Sequence, residues 1–309
     1  QERAVKALEF GLKTDKKGYN IFVAGISGTG RNSYVSLIAG DKAKKKPAPC
    51  DWLYVYNFKD STRPMAVDLR TGDGIEFKKD IGKTLKIIIE EIKDVFTSKN
   101  YESMKNILYR QYDDEYKKQI GQLNEVAQKF EFVFIQSEKG LVSMPLFNGK
   151  AMSEEEYKKL SSGEYEALKE KSNQLNVETV EIFNQIKDLE DEFRDKLNRL
   201  DVEFAERGIS VYFLKLEERY EYSDKALKYL KMFREDVLEN IDVFKKPDKN
   251  GNANPMAIFQ GPPKKENFFK RYEVNVFIDN SERKSAPVIV ENNPNYSNLL
   301  GSIEYKNEM

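Results

Sequence analysis

Two apolar seams, each running through a background dense in Lys and Glu, constrain this chain more than any motif in it. One seam is Tyr101, Met104, Leu108, Tyr112, Tyr116, Ile120, Leu123, Ala127 and Phe130. The other is Ile182, Ile186, Leu189, Phe193, Leu197, Leu200 and Phe204. Steps of three and four residues place each seam on one face of an α-helix. A helix with one apolar face must bury it, and the simplest burial is against a second helix of the same kind. The seams therefore predict an antiparallel, coiled-coil-like helical arm over residues 79–245. Helical period alone accounts for the aromatic residues, so they read as packing rather than as a cofactor box. Between the seams, "FEFVFIQ" and "GLVSMPLFNGK" predict a small β-hairpin near residues 131–148. "SEEE", Ser153 to Glu156, has the form of a capping box that restarts the helix.

Outside the arm the pattern changes to α/β. "ERAVKALEFGL" has the period of a short amphipathic helix, "YNIFVAG" that of a buried strand, and "RNSYVSLIAG" that of the next helix. "DWLYVYNF" predicts a second strand from Trp52 to Phe58. After a Pro/Gly/Asn-rich linker, "RYEVNVFID" and "APVIVENNP" are apolar enough to rejoin the same sheet. The expected fold class is α/β: a discontinuous phosphate-loop core of residues 1–78 and 246–309, with the helical arm of 79–245 inserted into it.

The core carries one motif with chemical content. "GISGTGRNS" supplies Gly25, Ile26, Ser27, Gly28, Thr29, Gly30, Arg31, Asn32 and Ser33, close to the pattern G-x-x-x-x-G-K-[ST]. A glycine turn between a strand and a helix N-terminus aims backbone N–H groups and the helix dipole at an anion. These nine residues are the candidate nucleotide-binding set. Two substitutions weaken the match. Arg31 stands where the motif has lysine and keeps the charge in a bulkier, forked form. Asn32 stands where a hydroxyl ligates Mg²⁺, and Ser33 is offset by about 100° around the helix. The expectation is a loop that holds ATP or ADP weakly and supports Mg²⁺ poorly. Asp279 and Glu291 each follow an apolar run, but each is followed by Asn rather than by a second acid, so both read as turn residues. "LSSGE", Leu160 to Glu164, looks like the phosphate-sensing signature of ABC-type ATPases; inside the arm it reads as a helix-to-helix turn.

Composition removes several function classes. The 309 residues contain no histidine, which excludes Ser-His-Asp and Cys-His nucleophiles and an imidazole base. A single cysteine, Cys50, allows no intrachain disulfide and no cysteine zinc cluster, which suits a reducing, cytoplasmic setting. Net charge is −1, so no global basic field points to nucleic acid, and the four lysines of "DKAKKKPAP" read as a solvated connector. No apolar run reaches the ~20 residues that span a bilayer. The chain opens on Gln1 and reads as part of a longer protein.

Taken together, "QERAVKALEFGL", "GYNIFVAGISGTGR", "DWLYVYNF" and especially "APVIVENNPNYSNLLGSIEY" resemble the Lon-type ATP-dependent proteases, in the Lon-related subgroup whose AAA+ core carries a long helical insertion. The resemblance implies an AAA+-like core, protein substrates and a ring-shaped homo-oligomer. It also implies an acidic motif, sensors, an arginine finger and a Ser-Lys peptidase dyad beyond residue 309, so none is carried onto a residue here. The fragment is expected to lack peptidase activity and to have little ATPase activity. Two other readings remain open: a non-hydrolysing nucleotide-binding scaffold, and a DNA-repair ATPase with a coiled-coil arm.

Overall fold

The computed structural model describes residues 2–14, 16–137, 140–147, 149–152, 156–157, 160–245 and 268–302. It divides into two compact units. One takes Gln1–Leu85, Lys215–Phe233 and Pro262–Met309; the other takes Lys86–Leu214 and Arg234–Gly261.

The first unit is built on a three-stranded sheet in the order β2-β1-β6, with β1 at Asp51–Val55, β2 at Met65–Leu69 and β6 at Asn275–Ile278. Both pairings of β1 are antiparallel. Strand β1 ends three residues short of the expected Phe58, and β2, "MAVDL", was not foreseen. Its Asp68 disguises the pattern, because that side chain points away from the core and pairs with Lys225 at 2.7 Å. Alternation along β1 turns Asp51, Leu53 and Val55 inward, and β2 adds Val67 and Leu69. An aromatic cluster completes this core. Phe77, near the start of α3 (Asp73–Thr97), meets Tyr220 edge-on at 4.8 Å. Tyr272 lies 4.6 Å from Phe233, and its carbonyl accepts the Tyr229 hydroxyl at 3.1 Å. Burial and a hydrogen bond to Asp80 hold the Tyr220 phenol well above its usual pKa.

Two expected strands are absent from the same unit. Residues 20–26 make no strand pairing, and Phe22 is 92% exposed. Residues 286–290 are likewise irregular, with Ile289 85% exposed. A strand needs a partner to satisfy its backbone and bury its face. No described strand pairs with either segment. Among the described residues, the sheet of this unit is an antiparallel one built around β1, and neither segment joins it.

In the second unit, α4 (Lys99–Lys129) runs into the hairpin of β3 (Phe132–Ser137) and β4 (Gly140–Phe147), with a short β5 (Lys150–Ala151) beyond it. The Phe134 amide donates to the Asn124 side chain at 2.7 Å, which ties β3 to the helix. Helix α5, Ser162–Arg219, is 58 residues long. The two predicted seams meet in antiparallel order: Tyr101 packs on Phe204, and Tyr112 stacks on Phe193 at 4.6 Å. Near the hairpin, Leu123, Ala127, Phe132, Phe134, Leu175 and Ile186 form one buried cluster. At the other end the Tyr101 hydroxyl and the Lys245 ammonium both donate to Asp201, at 2.6 and 2.5 Å.

The "LSSGE" segment forms the N-terminal cap of α5. The Ser161 amide and hydroxyl donate to Glu164 at 2.9 and 2.6 Å, and the Glu164 amide returns a bond to the hydroxyl at 3.4 Å. This is a reciprocal capping box. The box expected at Ser153 to Glu156 lies outside the described residues except for Glu156, as do residues 246–267 of the linker.

Candidate functional site

The loop from Gly25 to Ser33 lies between α1 (Glu2–Lys13) and α2 (Arg31–Ala43). Gly28 and Gly30 have φ of 82° and 73°, in the left-handed region that glycine enters without steric cost. Gly30 is the residue before α2, and no side chain caps that helix end. No side chain therefore satisfies the first-turn amides of α2. Gly25 serves a different purpose. A Cβ there would sit 3.2 Å from the Cδ of Arg31, so the bare glycine lets the arginine stem fold back across the loop. The Thr29 hydroxyl donates to the Ile26 carbonyl at 2.8 Å and closes the turn from within.

A cleft of about 1110 Å³ opens beside the loop, walled by α1 and α2. Gly25, Ile26, Thr29, Gly30, Arg31 and Ser33 line it; Ser27, Gly28 and Asn32 do not. Ala4, Val5 and Leu8 of α1 make one apolar wall, and Tyr34 and Leu37 of α2 another. The arrangement sets apolar walls next to backbone amides and one guanidinium, a combination suited to an apolar group joined to an anion.

Asn32 does not line the cleft, and no cluster of acidic or cysteine side chains able to hold a metal ion occurs among the described residues. Asp279 accepts the Ser281 amide at 2.9 Å, and this bond holds its carboxyl below the usual pKa. Glu291 accepts the Asn293 amide at 2.8 Å. Each acid thus satisfies its own turn.

The carboxylate that the fold does use was invisible as a motif. Asp51, fully buried, accepts the amides of Gly72 and Gly74 on one oxygen, at 2.9 and 2.8 Å, and that of Asn280 on the other, at 2.9 Å. It joins the start of β1, the start of α3 and the end of β6. A Cβ on Gly74 would fall 2.9 Å from that carboxylate, so only glycine admits the contact. An acid at the first position of an apolar strand was the only signal in the sequence.

Two stretches of the chain match Lon-like family models. Residues 51–84 match the Lon-like LonC helical domain, and residues 284–309 match the LonB-like AAA domain. The matches fall on two of the four stretches that carried the resemblance, "DWLYVYNF" and "APVIVENNPNYSNLLGSIEY". Together they support a Lon-like protease relationship, and the AAA match points to nucleotide binding in general terms. No curated protein matches the chain. No described helix is long and apolar enough to cross a membrane.

Proposed function

We propose that this chain is the nucleotide-binding module of a Lon-like ATP-dependent protease, with the helical arm of residues 79–245 handling protein substrate or assembly. The observation that carries the reading is the loop itself: an uncapped helix start after left-handed Gly28 and Gly30, Arg31 folded over Gly25, and an apolar cleft alongside. The AAA and helical-domain matches supply the family context. The residues of the set play unequal parts. Backbone amides around Gly30 and the Arg31 guanidinium take the phosphates, and the walls of α1 and α2 take the base. Ser33 is the hydroxyl on the cleft side, and Asn32 contributes no metal ligand. Protein substrates, a cytoplasmic ring of identical subunits and a discontinuous AAA+-like core belong to the same proposal.

The module on its own binds nucleotide without turning it over. Asp279 and Glu291 are engaged in their own turns, which favours a non-hydrolysing site in this portion of the protein. Calorimetric titration with ADP, ATP and Mg-ATP tests the reading. ADP and ATP are expected to bind with similar, weak affinity, and Arg31→Ala to abolish both. A tenfold preference for Mg-ATP over ADP, about 1.4 kcal/mol, would show that Ser33 or Asn32 supports the metal. Absence of any nucleotide binding would overturn the module assignment.

A further inference from the structure

A second concavity lies in the arm, where the hairpin meets the helices, and nothing in the nucleotide reading accounts for it. Its volume is about 430 Å³, and its walls include Tyr112 and Tyr116 of α4, Phe134 and Gln136 of β3, and Glu190 of α5. The aromatic walls are held in place from behind. Tyr112 stacks on Phe193 at 4.6 Å, with Tyr116 beside it at 5.7 Å, while Phe134 meets Phe183 edge-on at 5.5 Å. The Tyr116 hydroxyl donates to the Gln136 side-chain oxygen at 3.3 Å. The rings are thus held by their neighbours where they line the concavity.

Glu190 is the only charged side chain on the wall, and no ion pair engages it among the described residues. The bases nearby are otherwise placed. Arg194, one turn along α5, pairs with Asp191 at 3.3 Å; Lys117 and Lys118 of α4 pair with Asp113 and Glu115. Lys187, one turn before Glu190, makes no bond to it and does not line the space. Burial, and after it the Glu190 charge, raises the pKa of both phenols, so the carboxylate field reaches the aromatic walls. Tyrosines therefore stay neutral at any physiological pH, and the space carries one net negative charge.

From this we infer that the pocket is a receptor for one arginine side chain of an extended polypeptide. A guanidinium is attracted by the faces of tyrosine rings and stacks on them. Its fork of donors matches a carboxylate and leaves others for the Gln136 oxygen. The volume exceeds a single side chain, which leaves room for the adjoining backbone. The inference deepens the reading of the arm as a substrate-handling element and rests on it, but it requires no nucleotide.

The test uses the whole chain without nucleotide and a fluorescein-labelled, unstructured peptide containing a single arginine. Its control is the same peptide with citrulline, which keeps the shape and removes the charge. Anisotropy titrations should show the arginine peptide binding at least tenfold more tightly. Glu190→Gln, an exposed and nearly isosteric change, should reduce that preference to less than threefold without altering the circular dichroism. Tyr116→Leu should weaken the arginine peptide alone. Equal binding of the two peptides, no binding of either, or a preference untouched by Glu190→Gln would each overturn the assignment. Because nucleotide is absent throughout, failure at Arg31 and failure at Glu190 are separately visible.

Discussion

Residues 20–24, "NIFVA", and residues 51–55, "DWLYV", are matched in length and nearly in apolar content, yet they end in opposite states. In the second, Leu53 and Val55 are almost fully buried in β1; in the first, Phe22 is 92% exposed and no strand forms. The difference lies in their neighbours. Strand β1 has β2 on one side and β6 on the other, and Asp51 anchors its first residue to three backbone amides. Residues 20–24 have α1 and α2 nearby but no described strand beside them. Strand propensity describes how well a segment fits a pleated, half-buried surface, and only a second strand provides that surface.

The strongest test of this contrast is a matched pair of truncations. Leu53→Ala should cost about 3 kcal/mol, because it empties a site with no exposure. Phe22→Ala should change stability by no more than about 0.5 kcal/mol. Urea unfolding of both variants checks the pair; comparable losses would mean that residues 20–24 are packed after all. Next in size is the anchor. Asp51→Ala strands three amides, those of Gly74 and Asn280 in buried bonds and that of Gly72 in a part-buried one, and should cost about 2–4 kcal/mol in the same assay, more than any exposed acid of the chain. A loss below about 1 kcal/mol would detach Asp51 from the account of why β1 forms.

A smaller effect is expected where a helix start, rather than a strand, is at issue. Ser161→Ala removes the hydroxyl that caps α5 and should cost about 1 kcal/mol. An unchanged melting temperature would restore "LSSGE" to the status of an unexplained motif. A further small effect belongs to the outer face of β2. The hydrogen bond from Lys225 lowers the pKa of Asp68, so its contribution is present above pH ~4 and fades as pH falls through the folded value. With the pair partly exposed, the difference should stay below about 1 kcal/mol. Lys225→Met should lose stability at pH 7 and much less at pH 3; equal losses at both would assign the effect to packing against Trp52, over whose ring the ammonium sits.

Much of the helix pairing in the second unit was legible because helical period is local. Steps of three and four from Tyr101 to Phe130 and from Ile182 to Phe204 dictate which faces must be covered, and the two seams do meet, with Tyr112 on Phe193 and Tyr101 on Phe204. The hairpin between them followed from alternation and is present at Phe132–Ser137 and Gly140–Phe147. The loop was legible as glycines at set intervals, since only glycine takes the backbone of positions 28 and 30 without strain. Which of its side chains face the cleft was not: that depends on where α1 lies, and it favours Ser33 over Asn32.

By itself, then, the sequence determined the helical faces, the turn at Gly28 and Gly30, and the absence of imidazole chemistry, each a matter of residue type and short-range spacing. Tertiary structure alone decided which apolar segments became strands, why an aspartate sits fully buried at the head of β1, and where Glu190 comes to face Tyr112 and Tyr116. Each of these joins residues distant in the chain: Asp51 lies 229 positions from Asn280, and β1 is complete only when β6 has returned to it. Local period carries no information about such partners, because a backbone hydrogen bond or a buried carboxylate is satisfied by whatever the fold brings within 3 Å.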